Sequence, residues 1–262
     1  METDVETSLS EPPQRNLRFY QTYGLHHYYS DYISYKNSFH QLHTSQWELN
    51  QIAGITDTQK VKRVLLAGMG FGRELDHLLK IFPKAKIEVL DFNDQFIEPA
   101  RDIYGAGRTT FHQIDLNHSG LPFPSGHFDL VVTLNTLEYL DEAAFHRFFA
   151  ESARVLGQGG HLFFRLYNSS FPFSFLDQRH IRSRSEDMPI VHPRPYQSTK
   201  ESLSSHLRIK SEQALGWRVN FRLFNFLYRD TLSSLTWQLE RGLNAVLPIK
   251  LARSVYFTGE KK

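Results

Sequence analysis

The sequence predicts an α/β fold built on a doubly wound, mostly parallel sheet of seven strands. Three observations predict it. Apolar segments alternate with helix-like segments through the middle of the chain, three glycines follow the first apolar segment, and an aspartate follows each of the next two. This alternation favours right-handed crossovers between parallel strands. The glycines and both aspartates are then expected along one edge of a single sheet, where open α/β folds bind nucleotide-like ligands.

The first five strands and three helices are expected between residues 60 and 166. Each helix has apolar residues spaced to bury one face, and proline or glycine follows its last turn. The expected strands are residues 63–67, 86–90, 109–114, 128–134 and 161–166. The expected helices are residues 74–82, 95–104 and 142–156, and the last of them ends at the glycine-rich segment 157–160.

The flanks of this region differ from it in composition. Residues 1–14 are acidic and rich in serine and threonine, and we expect a disordered tail there. Residues 15–60 are rich in tyrosine and histidine and are expected to form an aromatic, helical lid. The main domain is expected at residues 61–262, with an insertion or cap at about residues 167–198, where prolines and arginines interrupt the pattern.

The segments after the insertion complete the expected sheet. Ser198 and Glu201 have the spacing of a capping box, which predicts a helix that continues to Leu215. A strand at residues 217–221, an amphipathic helix at 224–246 and a final strand at 254–258 are expected to follow.

Composition excludes several classes of function. The net charge of +2 on 262 residues gives no bulk attraction to nucleic acid. No apolar run approaches the roughly 20 residues of a transmembrane helix, and residues 1–14 lack the apolar core of a signal peptide. We therefore expect a cytoplasmic protein without an integral membrane segment. The absence of cysteine excludes disulfides, thiolate metal sites and a cysteine nucleophile, and no metal site is expected.

Gly68, Gly70 and Gly72 follow the first strand and precede the first helix of the alternating region. Without a Cβ, each lets the chain turn tightly and lets a ligand approach the backbone amides at the helix start. A dinucleotide fingerprint requires G-x-G-x-x-G. Here the third glycine comes one residue earlier, which favours a cofactor without a pyrophosphate. Taken alone, the pattern is equally consistent with a tight turn that binds nothing.

Two aspartates follow the second and third strands. Asp91 comes about 20 residues after the glycines, where a carboxylate can accept hydrogen bonds from both hydroxyls of a ribose. Its alternative role is the N-cap of the next helix. Asp115 could accept the exocyclic amine of adenine while the Leu116 amide meets a ring nitrogen, or it could only stabilise a turn. Phe92 could pack on the adenine face or belong to the core.

Together these residues resemble the class I S-adenosylmethionine-dependent methyltransferases. The resemblance covers residues 60–166 well and residues 214–259 more loosely. L-P-F at 121–123 and H-F-D-L-V-V at 127–132 are similar to the end of the family's adenine loop and its fourth strand. N-T-L-E-Y-L-D at 135–141 is similar to the segment after that strand, and residues 151–160 are similar to the family's E-x-x-R-V-L-x-x-G-G helix end.

The resemblance implies a Rossmann-like methyltransferase fold with S-adenosylmethionine (SAM) as cofactor. The residues that it assigns to cofactor binding are Gly68, Gly70, Gly72, Asp91, Phe92, Asp115, Leu116 and Asn135, with Tyr20 and Tyr28 contributed by the lid.

Two positions depart from the family. Leu66 stands where the family usually has an acid that helps to hold the amino group of the cofactor's methionine part, so backbone carbonyls or another acid must replace it. Tyr139 stands where many relatives have a histidine after the position of Glu138.

The activity that the resemblance implies is methyl transfer to a small-molecule acceptor by in-line displacement, at oxygen, with nitrogen and carbon left open. An aromatic lid suits an aromatic or lipophilic acceptor. A hydroxyl acceptor can also require a general base. The candidates for this base are His26, His27, His40, Tyr139, His180 and His192.

Two other functions stay open at this point. One is a non-catalytic protein of the same fold that acts as a regulatory or scaffold subunit, and Leu66 is its best support. The other is different chemistry on this fold, such as aminopropyl transfer, for which residues 135–141 offer only Glu138 and Asp141 as acids. A homodimer is a further open prediction.

Overall fold

The structure is a computed structural model that describes residues 39–70, 72–105, 107–172, 191–215 and 233–262. The expected tail, most of the expected lid and insertion, and the strand expected at 217–221 lie outside these residues. The candidate site residues outside them are Tyr20, His26, His27, Tyr28 and His180. His40 lies in a helix, but its side chain is also outside the described part.

One mixed sheet of seven strands organises the described residues. The strands are β1 (Arg63–Ala67), β2 (Lys86–Asp91), β3 (Thr109–Gln113), β4 (Phe128–Thr133), β5 (Leu156–Tyr167), β6 (Leu207–Leu215) and β7 (Ser254–Lys261). Their order across the sheet is β3-β2-β1-β4-β5-β7-β6. The first five pair in parallel, and β7 runs antiparallel to both β5 and β6. The predicted mostly parallel sheet of seven strands is confirmed.

The α-helices of the described part lie between or beside these strands. They are α1 (Phe39–Ile55), α2 (Arg73–Ile81), α3 (Asp94–Tyr104), α4 (Glu142–Val155), α5 (Tyr196–His206) and α6 (Ser233–Val246). The helix α3 begins after Asn93, whose side chain accepts a hydrogen bond from the Gln95 amide at 3.1 Å. Within the described residues, none of these helices has the length and apolar character needed to cross a bilayer.

The sheet is buried on both faces because alternate residues of a strand point to opposite sides. In β1, Leu65 and Ala67 belong to a core that includes residues of α4 and α5. Val64 and Leu66 belong to a second core that includes residues of α1, α2 and α3. With helices against both faces, the carboxyl ends of the strands are where a ligand can reach the sheet.

The helix predicted from Ser198 to Leu215 is wrong in both position and length. The helix α5 starts at Tyr196 and ends at His206, and residues 207–215 form β6. The expected capping box does not form, because the Ser198 hydroxyl donates to the Pro195 carbonyl at 3.2 Å. The segment 207–215 becomes a strand because it pairs with β7, whose paired residues lie between 39 and 54 positions away in the chain.

The helix α4 ends at Val155, just before the glycine-rich segment 157–160, as the sequence predicts. The segment itself lies inside β5, which begins at Leu156, five residues earlier than the predicted strand. The pairing with β4 shifts register between Phe128 and Leu130, and Gly159 has a φ of 72°. The glycines therefore accommodate an irregularity in a continuous strand.

Candidate active site

The glycine turn, residues 68–72, joins β1 to α2. Gly68, Gly70 and Gly72 have φ values of 81°, 49° and 80°, in the left-handed region that favours glycine. The Gly68 amide donates to the Leu90 carbonyl at 2.8 Å, which fixes the start of the turn against β2. A Cβ at Gly68 would lie 1.9 Å from Thr136 Oγ1. The turn thus packs directly against the segment that follows β4.

Asp91 ends β2 and holds the glycine turn in place. Its Oδ2 atom accepts hydrogen bonds from the amides of Met69 and Gly70, each at 2.9 Å, and its Oδ1 atom accepts one from the Asn93 amide at 3.0 Å. Burial raises the pKa of Asp91, and these amides oppose the rise. Asn93 is the N-cap of α3. Asp91 is therefore not the N-cap of that helix, which was its alternative role. Contact of Asp91 with a ribose hydroxyl stays a prediction.

Asp115 follows β3 and closes a turn. Its Oδ1 atom accepts from the Asn117 amide at 2.8 Å, and its Oδ2 atom lies 2.9 Å from His118 Nδ1. The turn-stabilising role is therefore real, and contact with an adenine amine stays a prediction. Leu116 is buried in the core beside α4, and Phe92 is half-buried directly after β2.

The parallel register brings these residues to one edge. Ala67 pairs with Leu90, and Asp91 pairs with Gln113. The glycine turn, Asp91 and Asp115 therefore follow the carboxyl ends of three adjacent strands, as the sequence pattern predicts.

The segment after β4 completes this edge. Asn135 is the one non-glycine residue in the described ranges with a positive φ, at 56°. Its Oδ1 atom accepts a hydrogen bond from the Arg165 guanidinium of β5. A single 3₁₀ turn, Leu137–Tyr139, follows and carries Glu138. Tyr139 is half-buried, and its role as a base stays a prediction.

A buried polar cluster that sequence reasoning missed ties α1 to the glycine turn. Arg73, the first residue of α2, lies 3.2 Å from Glu48 Oε2 and donates to Ser45 Oγ at 3.2 Å. The Tyr256 hydroxyl of β7 donates to Glu48 Oε1 at 2.7 Å. Glu48 is 3% exposed, and burial raises its pKa while Arg73 opposes the rise. The one sign of this cluster in the sequence was Arg73, which directly follows Gly72.

Replacing Tyr256 with phenylalanine is expected to lower the free energy of unfolding by about 1–3 kcal/mol, because Glu48 Oε1 loses its donor in a buried site. The ring contact with Trp47, at 4.9 Å between centroids, is retained. Urea unfolding measures the change. Tyr196→Phe is the matched control, because the Tyr196 hydroxyl also donates to a carboxylate, Glu212, that a cation holds. It should cost less, because Glu212 and Lys200 are more exposed than Glu48 and Arg73, so water can replace the lost donor. Equal losses in both variants would contradict the role given to Glu48.

Solved methyltransferase structures share this fold at low sequence identity. A Thermotoga maritima SAM-dependent methyltransferase, described as a possible histamine N-methyltransferase, is similar with a TM-score of 0.59 and 14% identity, over 93% of this chain and 99% of that one. The N-methyltransferase NodS from Bradyrhizobium japonicum, in complex with S-adenosyl-L-homocysteine (SAH), is similar with a TM-score of 0.53 and 14% identity. The match covers 86% of this chain and 89% of that one. A third match is one chain of a Haloferax volcanii complex between the Trm112 methyltransferase activator and a methyltransferase. Its TM-score is 0.57 and its identity 17%, over 82% of this chain and 89% of that one.

Sequence comparison gives the deciding observation. Residues 64–160 match a family model described as a methyltransferase domain. Residues 64–160 therefore form a methyltransferase domain. A search of curated protein sequences finds no match to the chain.

The methyltransferase domain offers groups that suit the adenosine part of SAM, but it departs from the family's usual pattern at the methionine part. The glycine turn, Asp91 and Asp115 offer amides and carboxylate oxygens at the edge where the adenosine part is expected. Leu66 is fully buried between Val89 of β2 and Val132 of β4, so it supplies no polar group. Glu138, three residues after Asn135, has a buried Oε2 atom without a hydrogen-bond partner.

Proposed function

We propose that this methyltransferase transfers the methyl group of SAM to an oxygen atom of a small-molecule acceptor. The observation that supports oxygen is His192, whose buried Nε2 atom has no hydrogen-bond partner among the described residues. Its backbone amide donates to the Glu138 carbonyl at 2.6 Å, which places His192 beside the turn that follows β4. Burial lowers the pKa of His192, so the imidazole is neutral at pH 7 and can accept a proton.

In this proposal His192 Nε2 takes the hydroxyl proton while the acceptor oxygen forms its bond to the methyl carbon. When bound, SAM would supply the methyl group, and its sulfur would keep the electron pair of the broken carbon–sulfur bond, so SAH and a methyl ether would result. The rest of the site holds the two reactants in line and keeps water out.

The cofactor contacts proposed for Gly68, Gly70, Gly72, Asp91, Phe92, Asp115, Leu116, Asn135, Tyr20 and Tyr28 belong to the same proposal. The lid role of residues 15–60 is supported by α1, because its Glu48 pairs with Arg73, the residue directly after the glycine turn. An aromatic or lipophilic acceptor is proposed because this segment is rich in tyrosine. A cytoplasmic location and a homodimer stay predictions.

Calorimetry with SAM and SAH, followed by a panel of phenols, alcohols and amines with a labelled methyl donor, tests this function. We expect binding of both cofactor forms and label on oxygen, located by mass spectrometry. Label on nitrogen or carbon would contradict the proposed acceptor atom. No heat and no thermal shift at millimolar cofactor would instead favour a non-catalytic subunit.

His192→Gln is expected to lower kcat for a hydroxyl acceptor by roughly 10²–10⁴-fold and to leave the Kd of SAH unchanged. His146→Gln is the matched control, because His146 is exposed on α4 and bonds to Ser202 Oγ at 2.8 Å. A His192 variant with wild-type kcat and an unchanged pH–rate profile would remove His192 from the mechanism.

A further inference from the structure

Glu138 is a partly exposed residue whose Oε2 atom is buried and unused. Among the carboxylates of the described residues, it is the one with a buried oxygen that lacks a hydrogen-bond partner. The other acids on this side are occupied: Glu48 is bound by Arg73 and Tyr256, and Glu74 is bound by Arg73. A buried charged group without a partner costs stability, so a ligand that supplies the missing donor would recover this loss.

Burial and a nearby cation act in opposite directions on the charge of Glu138. Burial raises the pKa of Glu138, and the positive charge of Arg165 opposes the rise. Arg165 is itself held in place, since it donates to Asn135 Oδ1 and, at 3.1 Å, to Ser254 Oγ. Arg165 therefore compensates part of the charge of Glu138 without occupying its Oε2 atom.

Strand order places Glu138 on the far side of the glycine turn from the two aspartates. The order β3-β2-β1-β4 puts Asp115, Asp91, the glycine turn and the segment after β4 in a row. Adjacent strands lie about 4.8 Å apart, so this row is about 14 Å long. The last two members are in contact, because the Thr136 side chain packs on Gly68. Glu138 follows Thr136 by two residues in the same turn, where the Tyr139 amide donates to the Thr136 carbonyl at 3.0 Å.

We propose that Glu138 binds the ammonium group at the methionine end of SAM and replaces the acid that is missing at Leu66. The chemistry fits, because an ammonium is a cationic donor for a buried carboxylate, and hydrogen bonds between charged groups are the strong ones. The proposal rests on the cofactor assignment and does not depend on the acceptor. Glu138 is here a specificity residue for the cofactor.

The test compares two ligands by calorimetry: SAH, and its deamino analogue in which a CH₂ group replaces the carbon that bears the ammonium. We expect Glu138→Gln to weaken SAH binding by roughly 10–100-fold, as the loss of a charged hydrogen bond predicts. Binding of the deamino analogue should be unchanged or slightly tighter, because its carboxylate no longer faces a negative neighbour.

Glu48→Gln is the matched control for this comparison. It alters a buried acid of the same region that already has partners, so the ratio of the two affinities should stay at its wild-type value. Equal weakening of both ligands by Glu138→Gln, or no weakening of either, overturns the proposal. Failure of the wild-type protein to bind SAH would overturn the cofactor assignment itself, and the proposal with it.

A second measurement separates this role from a role in folding. Because burial raises the pKa of Glu138 in the folded chain, its contribution to stability is fully present below the unfolded pKa and is lost as pH rises through the folded value. Glu138→Gln stays neutral at every pH. Without ligand, the variant should therefore melt higher than wild type at pH 8, and the difference should shrink as pH falls. A variant that melts lower at pH 8 overturns the assignment of Glu138 as an unpaired charge.

Discussion

Asp91→Ala is expected to destabilise the folded chain by about 3 kcal/mol and to lower the affinity for SAM at least about tenfold. The substitution leaves the amides of Met69, Gly70 and Asn93 without an acceptor. Each buried amide without a partner costs about 1–3 kcal/mol, and water that enters the site satisfies part of this demand. Affinity falls because the glycine turn loses its fixed shape and any ribose contact is lost.

Urea unfolding and calorimetry with SAH measure both effects. Asp57→Ala is the control, because Asp57 also accepts a backbone hydrogen bond, from the Gln59 amide at 3.0 Å, but lies at an exposed position. We expect it to leave both the free energy of unfolding and the Kd of SAH at their wild-type values. If the alanine variant does not fold, Asp91→Asn keeps the shape and removes the charge, and it should still weaken SAH binding. Wild-type values for both Asp91 variants would show that the turn is held by other contacts.

Gly68→Ala is expected to lower the free energy of unfolding by about 2–5 kcal/mol. One part, about 1–2 kcal/mol, is the cost of a left-handed φ for a residue with a Cβ. The other part, about 1–3 kcal/mol, is overpacking, because the new methyl group would lie 1.9 Å from Thr136 Oγ1. Both costs come from the Cβ atom that the substitution adds.

Gly72→Ala separates these two costs. Gly72 has nearly the same φ, 80°, but the one described residue that a Cβ there would meet is Tyr104, whose ring lies at 3.8 Å. For Gly72→Ala we expect only the cost of the left-handed φ, so this variant should lose less stability than Gly68→Ala in chemical denaturation. The double variant Gly68→Ala, Thr136→Gly should regain part of the lost stability when compared with the sum of the single changes. Equal costs for Gly68→Ala and Gly72→Ala would show that packing against Thr136 is unimportant.

Local patterns in the sequence were enough to predict the first five strands and the edge they form. The glycine turn and Asp91 follow apolar strands directly, and parallel pairing then fixes where they meet. Residues 207–215 were predicted as helix because their strand depends on pairing with β7, which no local pattern reports. The bond from Tyr256 to Glu48 joins residues 208 positions apart, so its detection required the folded chain. Glu138 was visible as part of a motif, but its burial and its unused oxygen were not.

The place of β7 has a consequence for how the chain is made. The last of the described strands, β7, is inserted between β5 and β6. While a ribosome is still adding residues 233–253, none of the other described strands pairs with β6 or covers this edge of β5. The nascent chain thus holds two unpaired strands through that interval, a state prone to intermolecular pairing. Residues 254–261 pair with both β5 and β6. The part of the sheet formed by β5, β7 and β6 is therefore expected to form only after β7 has been synthesised.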